Sequence, residues 1–294
     1  MADENVLPMS KSRMKQSVWP DPLVVEPTET HTHSFIFLHG RGSNAERFGL
    51  ELLKAQTSDG GRTLAAHFPA MRFIFPTAKK RRAAAFNRTP INQWFDLYSI
   101  EDPAERQHLQ YDGLRETSLF VHDLINQEAQ SVGISRVIIG GLSQGCAASL
   151  HVLLNFQADE PLLGFVGMSG WLPFAEILEG DALGEEDIFS AAEGENHTSN
   201  LAAIQISAST TARDIVSLAP LASDKSPMFP QTSVFLGHGS HDQRVIPSLG
   251  VQARDVLLRL GCDVEWREYD EGHWYKVPDQ IDNLVVWLKG RVNI

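Results

Sequence analysis

The 294-residue chain has only two cysteines, Cys146 and Cys262. Two are too few for a disulfide framework and neither stands in a metal-type spacing, so both read as reduced, buried thiols. Long apolar runs are also missing. None approaches the roughly 20 residues that cross a bilayer, so no transmembrane segment is expected. The N-terminus carries early acids and no apolar core, unlike a secretory signal, and the expected compartment is the cytoplasm. Basic charge is scarce: 25 Lys and Arg stand against 37 Asp and Glu, a formal net charge of -12. Nucleic-acid affinity rests on cations that neutralise phosphates, so no nucleic-acid partner is expected. No internal repeat is found.

What is present is a hydrophobic content of 43%, enough for a sizeable core. Residues 1–32 are polar and punctuated by proline, and read as an N-terminal arm lying on the body. Beyond it, a single α/β domain is expected over 33–294. Short apolar runs at 34–38, 72–76, 136–139, 165–169 and 232–236 suit strands buried on both faces, and 263–269 alternates like a strand nearer the sheet edge. Helical patterns fall between them, at about 45–56, 114–130, 146–156, 247–260 and 278–291. Strands alternating with helices imply a mostly parallel central sheet covered on both faces. The stretch at about 174–230 breaks the rhythm, with no clear strand and an acid-rich part. It reads either as a cap over the site or as an irregular insertion.

The sequence Gly141-Leu142-Ser143-Gln144-Gly145 directly follows the run Val137-Ile138-Ile139 and opens a helix. A serine on so sharp a strand-to-helix turn is exposed at the sheet edge, and side chains two positions either side would strike neighbouring backbone. The pattern matches the nucleophile elbow expected of an α/β-hydrolase fold, with Ser143 as the candidate nucleophile and a glycine-rich turn with a bystander serine as the other reading. A serine hydroxyl needs a base to take its proton and an acid to orient that base. In chain order the candidates are Asp242, after the run ending at Leu236, and His273, after the last strand. Asp263 and Asp270 are rival acids, but both lie too near His273 to leave the usual spacing. Of the other histidines, His238 and His39 read as holding their own turns through local hydrogen bonds, His241 as an exposed loop residue, and His108, His122 and His151 as surface or packing residues. Acyl transfer also needs donors for an oxyanion. The backbone N–H groups of Arg41 and Gln144 are the candidates. The Arg41 side chain either reaches an acidic substrate group or points to solvent. The basic run Lys79-Lys80-Arg81-Arg82 reads as a solvated loop, with attraction of an anionic substrate as the other reading.

The set His39-Gly40-x-Gly42, Trp94-Phe95-Asp96, Gly141 to Gly145, Trp171-Leu172-Pro173, His238-Gly239-x-x-Asp242 and Gly272-His273 resembles the phospholipase/carboxylesterase family, which includes the acyl-protein thioesterases. The resemblance runs from about Ser34 to the C-terminus. It implies a serine hydrolase that cleaves esters or thioesters through an acyl-serine, without metal or organic cofactor. The substrate would be a small molecule, a lipid or an acylated protein. By the same resemblance the nucleophile, acid and base map to Ser143, Asp242 and His273, and the oxyanion donors to Arg41 and Gln144. Trp94, Phe95 and Trp171 would shape the acyl pocket, core packing being the other reading. Family members usually carry an apolar residue where Arg41 stands. A ligand sensor with little turnover, or an acyltransferase using the same triad, would share these features.

Overall fold

The computed structural model describes residues 18–183 and 197–292. Residues 1–17 of the expected arm and 184–196 of the expected insertion lie outside the described residues. One seven-stranded sheet runs in the order β1 (Leu23–Val25), β3 (Met71–Phe75), β2 (His33–Leu38), β6 (Val137–Leu142), β7 (Gly164–Met168), β8 (Ser233–Gly239) and β9 (Val264–Tyr269). Only β1 is antiparallel, pairing with β3; the other neighbours are parallel. Each of the six runs expected as strands lies in this sheet, with the alternating one at its edge. The architecture is the α/β-hydrolase fold.

The strands alternate between two cores, as a period of two requires. Phe35, Phe37 and Ile138 pack into a core with α1 (Ala45–Lys54), α2 (Leu64–His67) and α8 (Asp279–Val292). Ile36, Val137 and Ile139 pack into the opposite core with α3 (Tyr111–Val132), α4 (Gln144–Asn155) and α7 (Pro247–Arg259). Asn44 caps α1, its side chain accepting the Arg47 N–H at 2.8 Å. Gly133, at φ 88°, ends α3.

The described parts of 174–230 contain α5 (Ala175–Leu183) and α6 (His197–Ile215). Helix α6 lies along α4: Ser209 Oγ donates to the Leu154 carbonyl at 2.8 Å and Arg213 Nη1 to the Asn155 carbonyl at 2.5 Å. Glu179 on α5 pairs with Arg259 on α7. These helices therefore form an outer layer behind the sheet, which explains why every residue of α4 is buried.

Three strands were not expected. β1 falls within the arm. β4 (Lys80–Ala83) and β5 (Thr89–Asn92) form an antiparallel hairpin outside the main sheet. The arm is pinned beside that hairpin by Trp19, whose ring stacks 4.1 Å from Phe120 and lies 4.7 Å beneath Lys79 Nζ. Lys79 and Arg81 also pair with Glu116 at 3.1 and 2.9 Å. Half of the basic run is thus bound internally rather than solvated or turned to a substrate.

Candidate active site

The turn from β6 to α4 holds Ser143 at φ 56°, ψ -121°, a backbone conformation rarely adopted by a residue with a side chain. Its neighbours explain how so tight a turn is made. A Cβ on Gly141 would lie 2.3 Å from the Gly145 carbonyl carbon, and one on Gly145 would lie 2.2 Å from the Leu38 oxygen. Both contacts are with backbone, which cannot swing aside. The central position of β6 then places Ser143 at the C-terminal sheet edge, where α/β folds build their sites.

Two further strands deliver partners to that edge. The loop after β8 carries Asp242 and the loop after β9 carries His273. His273 Nε2 stands 2.9 Å from Ser143 Oγ, and His273 Nδ1 stands 2.7 Å from Asp242 Oδ2. A carboxylate at Nδ1 fixes the proton on that nitrogen and leaves Nε2 free to accept the serine proton. Asp242 Oδ1 accepts the Arg244 and Val245 N–H groups at 2.9 and 3.0 Å. The carboxyl is buried, which alone would raise its pKa. Hydrogen bonds from His238 and His273, the His273 charge and the Val245 N–H outweigh that and hold it below the ordinary carboxylate range. His238, read from sequence as holding its own turn, donates Nε2–H to the Val245 carbonyl at 2.8 Å and lies 3.4 Å from Asp242 Oδ2.

The rival acids are elsewhere. Asp270 pairs with exposed His241 at 3.1 Å, and Asp263 faces Arg291 at 3.7 Å. His39 is a buried neutral ring: it accepts the Ala78 N–H on Nε2 at 3.0 Å and donates Nδ1–H to the Gly40 carbonyl at 2.7 Å. Burial lowers its pKa to about 4, against the raising effect of the Gly40 bond.

The two expected oxyanion donors belong to segments that adjoin Ser143. A Cβ on Gly40 would lie 3.5 Å from Ser143 Cβ, so the loop leading to Arg41 packs directly on the serine. Gln144 is the first residue of α4, where the N–H has no intrahelical acceptor and the helix favours negative charge. Neither the Arg41 nor the Gln144 N–H donates to a backbone acceptor among the described residues.

Ser143 and His273 open onto a cavity of about 640 Å³. Its walls come from Phe48, Leu142, Ile100, Trp274 and, from the unexpected hairpin, Phe86 and Ile91; Arg47, Glu51 and Arg244 are its charged rim. None of these residues was marked by the sequence, although Trp274 follows His273 directly. The aromatic residues expected to line the acyl pocket are not among its lining. Trp94 and Phe95 are fully buried behind the site, and Trp171 borders a separate cavity of about 100 Å³ with Phe174 and Asp102. No described residue of 174–230 lines the larger cavity.

The Arg41 side chain follows neither sequence reading. It turns inward, only 6% exposed, donating from Nε to Gln93 Oε1 at 2.8 Å and from Nη2 to the Leu97 carbonyl at 3.0 Å. An arginine with such internal acceptors has no need of solvent or of a substrate anion.

Comparison with known proteins points the same way as the geometry. The family model described as phospholipase/carboxylesterase matches residues 20–192. Acyl-protein thioesterase 1 of Schizosaccharomyces pombe is 30% identical over 154 residues, a stretch covering 52% of this chain and 62% of that protein. Acyl-protein thioesterase 1 of Gibberella zeae is 25% identical over 275 residues, covering 91% of this chain and 94% of that protein. Among solved structures, Zea mays acyl-protein thioesterase 2 superposes with a TM-score of 0.63 at 23% identity, covering 92% of this chain and 98% of that one.

Proposed function

The chain belongs to the phospholipase/carboxylesterase family, and from that premise we propose that it hydrolyses carboxylic esters or thioesters through an acyl group carried on Ser143. The observation that carries this reading is the continuous path Ser143 Oγ–His273 Nε2–His273 Nδ1–Asp242 Oδ2, with contacts of 2.9 and 2.7 Å, on a strained elbow. His273 takes the Ser143 proton as Oγ bonds to the substrate carbonyl carbon. The oxygen that gains negative charge lies between the Arg41 and Gln144 N–H groups, in a site where fixed donors need no reorganisation. Asp242 stabilises the imidazolium. His273 then returns the proton to the departing alcohol or thiol as its bond to carbon breaks. Water then attacks the acyl-serine as the same nitrogen takes its proton, and His273 passes that proton to Ser143 Oγ as the bond to carbon breaks and the acid departs.

The cavity beside Ser143 falls in the size range of small-ligand sites, about 300–1,000 Å³, and its apolar walls suit an acyl chain. The finer substrate we propose is an acyl thioester of a protein. The names of the relatives support it, as does a charged rim of Arg47, Glu51 and Arg244 that a peptide around the acylated residue would meet. Two buried free thiols, Cys146 and Cys262, suit the reducing cytoplasm proposed as its compartment. Among the described residues no helix is long and apolar enough to cross a membrane.

The test is turnover of a short p-nitrophenyl ester by Ser143→Ala. Activity is expected to vanish while circular dichroism stays unchanged; retained turnover would overturn the reading. A matched panel of acyl-ester and S-acylated peptide substrates then decides between small esters and proteins.

A further inference from the structure

Arg41 and Gln144, the two residues proposed to supply the oxyanion N–H groups, share a feature beyond their backbones. Both side chains are spent on one loop, residues 93–97. Arg41 grips its ends, through Gln93 Oε1 at 2.8 Å and the Leu97 carbonyl at 3.0 Å. Gln144 grips its middle, with Oε1 accepting the Trp94 N–H at 3.1 Å and Nε2 donating to the Phe95 carbonyl at 2.8 Å. The loop and the end of β5 that leads into it in turn hold the backbone on both sides of Arg41. Trp94 Nε1 donates to the His39 carbonyl at 2.7 Å, and the Gly42 N–H donates to the Asn92 carbonyl at 2.7 Å.

The loop is itself well anchored. Thr117 Oγ1 on α3 donates to the Trp94 carbonyl at 2.8 Å, and a Cβ on Gly113 would lie 2.4 Å from Phe95 Cα, so α3 touches its backbone. Asp96 knots it to the hairpin, accepting the Ala84 and Leu97 N–H groups at 3.0 and 2.9 Å and a Gln93 Nε2–H at 3.3 Å. The Asp96 carboxylate is 3.8 Å from the Arg41 guanidinium, which also lies 4.9 Å from the Phe86 ring centroid.

We propose that the Arg41 side chain is a positioning residue for the reaction: by gripping Gln93 and Leu97 it holds its own N–H on the oxyanion, and the shared loop locks that N–H to the Gln144 N–H as one clamp. The inference rests on the reading that these two N–H groups are the oxyanion donors. A planar guanidinium is suited to the task because two donors of fixed geometry reach two acceptors at once, which an ammonium cannot reproduce. Since the charge develops only in the transition state, a loosened donor lowers kcat rather than substrate binding.

The experiment compares Arg41→Met, Arg41→Lys, Gln93→Ala and the Arg41→Met/Gln93→Ala double variant with the parent, on the same p-nitrophenyl ester. Each is also titrated with an alkyl trifluoromethyl ketone, which forms a tetrahedral oxyanion adduct, and with the product carboxylic acid. Removing an oxyanion donor outright costs about 100- to 1,000-fold in kcat, so misplacing one is expected to cost roughly 10- to 100-fold in Arg41→Met. KM and product-acid affinity should stay close to the parent's, while ketone affinity falls in step with kcat/KM. Arg41→Lys should recover part of the loss. Gln93→Ala should act in the same direction, and the double variant should lose less than the product of the single losses, because both remove one contact.

A merely structural role for Arg41 would leave the ratio of ketone to product-acid affinity unchanged. If Arg41→Met does not fold, Gln93→Ala decides, since it leaves Arg41 and its charge in place. Undiminished kcat and ketone affinity in the folded variants overturn the inference. If Ser143→Ala is inactive in the same assay, that failure concerns the clamp alone; if Ser143→Ala stays active, both the clamp and the hydrolase reading fall.

Discussion

The Asp242 carboxylate presents its two oxygens to different groups: Oδ2 faces His273 Nδ1 at 2.7 Å, while Oδ1 is held by the Arg244 and Val245 N–H groups. The division makes an amide replacement informative. In Asp242→Asn the two backbone donors require the amide oxygen at the Oδ1 place, which turns the NH2 toward His273 Nδ1. The ring must then carry its proton on Nε2, facing Ser143, and can no longer accept from the serine. We predict a fall in kcat of about 1,000- to 10,000-fold with little change in fold. Steady-state kinetics with circular dichroism checks this, and a loss below tenfold would remove Asp242 from its proposed role.

Ser143 stores strain that a glycine would release. At φ 56°, ψ -121° a side-chain-bearing residue is disfavoured by about 1–3 kcal/mol, whereas glycine adopts such angles freely. Part of the gain is returned as unfolded-chain entropy. Ser143→Gly is therefore expected to be inactive but more stable than Ser143→Ala by about 1 kcal/mol, or roughly 2 °C in Tm. The alanine variant is the control because it also lacks the hydroxyl yet keeps the Cβ. Equal Tm values for the two would show that the elbow carries no such strain.

The places of Ser143, Asp242 and His273 were legible because each follows a strand closely, Ser143 and Asp242 a buried one and His273 the alternating edge strand, within a short, glycine-marked turn. Those signals are local, and local spacing survives in a sequence. The inward turn of Arg41 was not legible, because its acceptors Gln93 and Leu97 lie more than fifty residues away and nothing local marks them. The cavity wall was missed for a related reason. β4 and β5 are four residues each, and exposed Lys80 and Arg82 alternate with half-buried Arg81, which meets Trp19 and Glu116, and with buried Ala83, so no apolar run marks the strand. Trp94 and Phe95 look like pocket residues because they are large and near a motif. Beyond the Trp94 indole N–H on the His39 carbonyl, what they offer is backbone groups that Gln144 holds, and backbone roles leave little imprint on residue type.

Three histidines contribute most to the pH response of the fold, His39 and His151 buried and His122 half-buried. Burial is the main cause lowering the pKa of each: His39 to about 4, His122 to about 4 and His151 to about 3, from 6.5. They are neutral in the folded chain, while the unfolded chain binds a proton at each below 6.5. Stability is therefore greatest above that value and is lost as pH falls from 6.5 toward about 4. Asp242 adds a loss only below 3.8, since its folded pKa is depressed and its contribution is complete above the unfolded value. Between pH 7 and 5 each histidine should cost about 2 kcal/mol. Urea midpoints at the two pH values test this: His151→Gln should show a smaller drop than the parent, and parallel drops would exclude His151 as a contributor.

The hairpin gives a handle on acyl length. Ile91 on β5 and Phe86 at its turn wall the cavity that Ser143 enters, together with Leu142 and Trp274. Filling the space from the hairpin should shorten the channel without touching the groups proposed to react, because Ile91 bonds to none of them. We predict that Ile91→Trp leaves kcat/KM for acetyl and butyryl esters within about threefold of the parent but lowers it at least about tenfold for decanoyl and longer esters. The scale follows from a pocket contact of about 1–3 kcal/mol per displaced methylene. A p-nitrophenyl ester series from two to sixteen carbons reads the result. An unchanged profile across the series would instead place the acyl chain away from the hairpin, along the rim formed by Arg47 and Glu51.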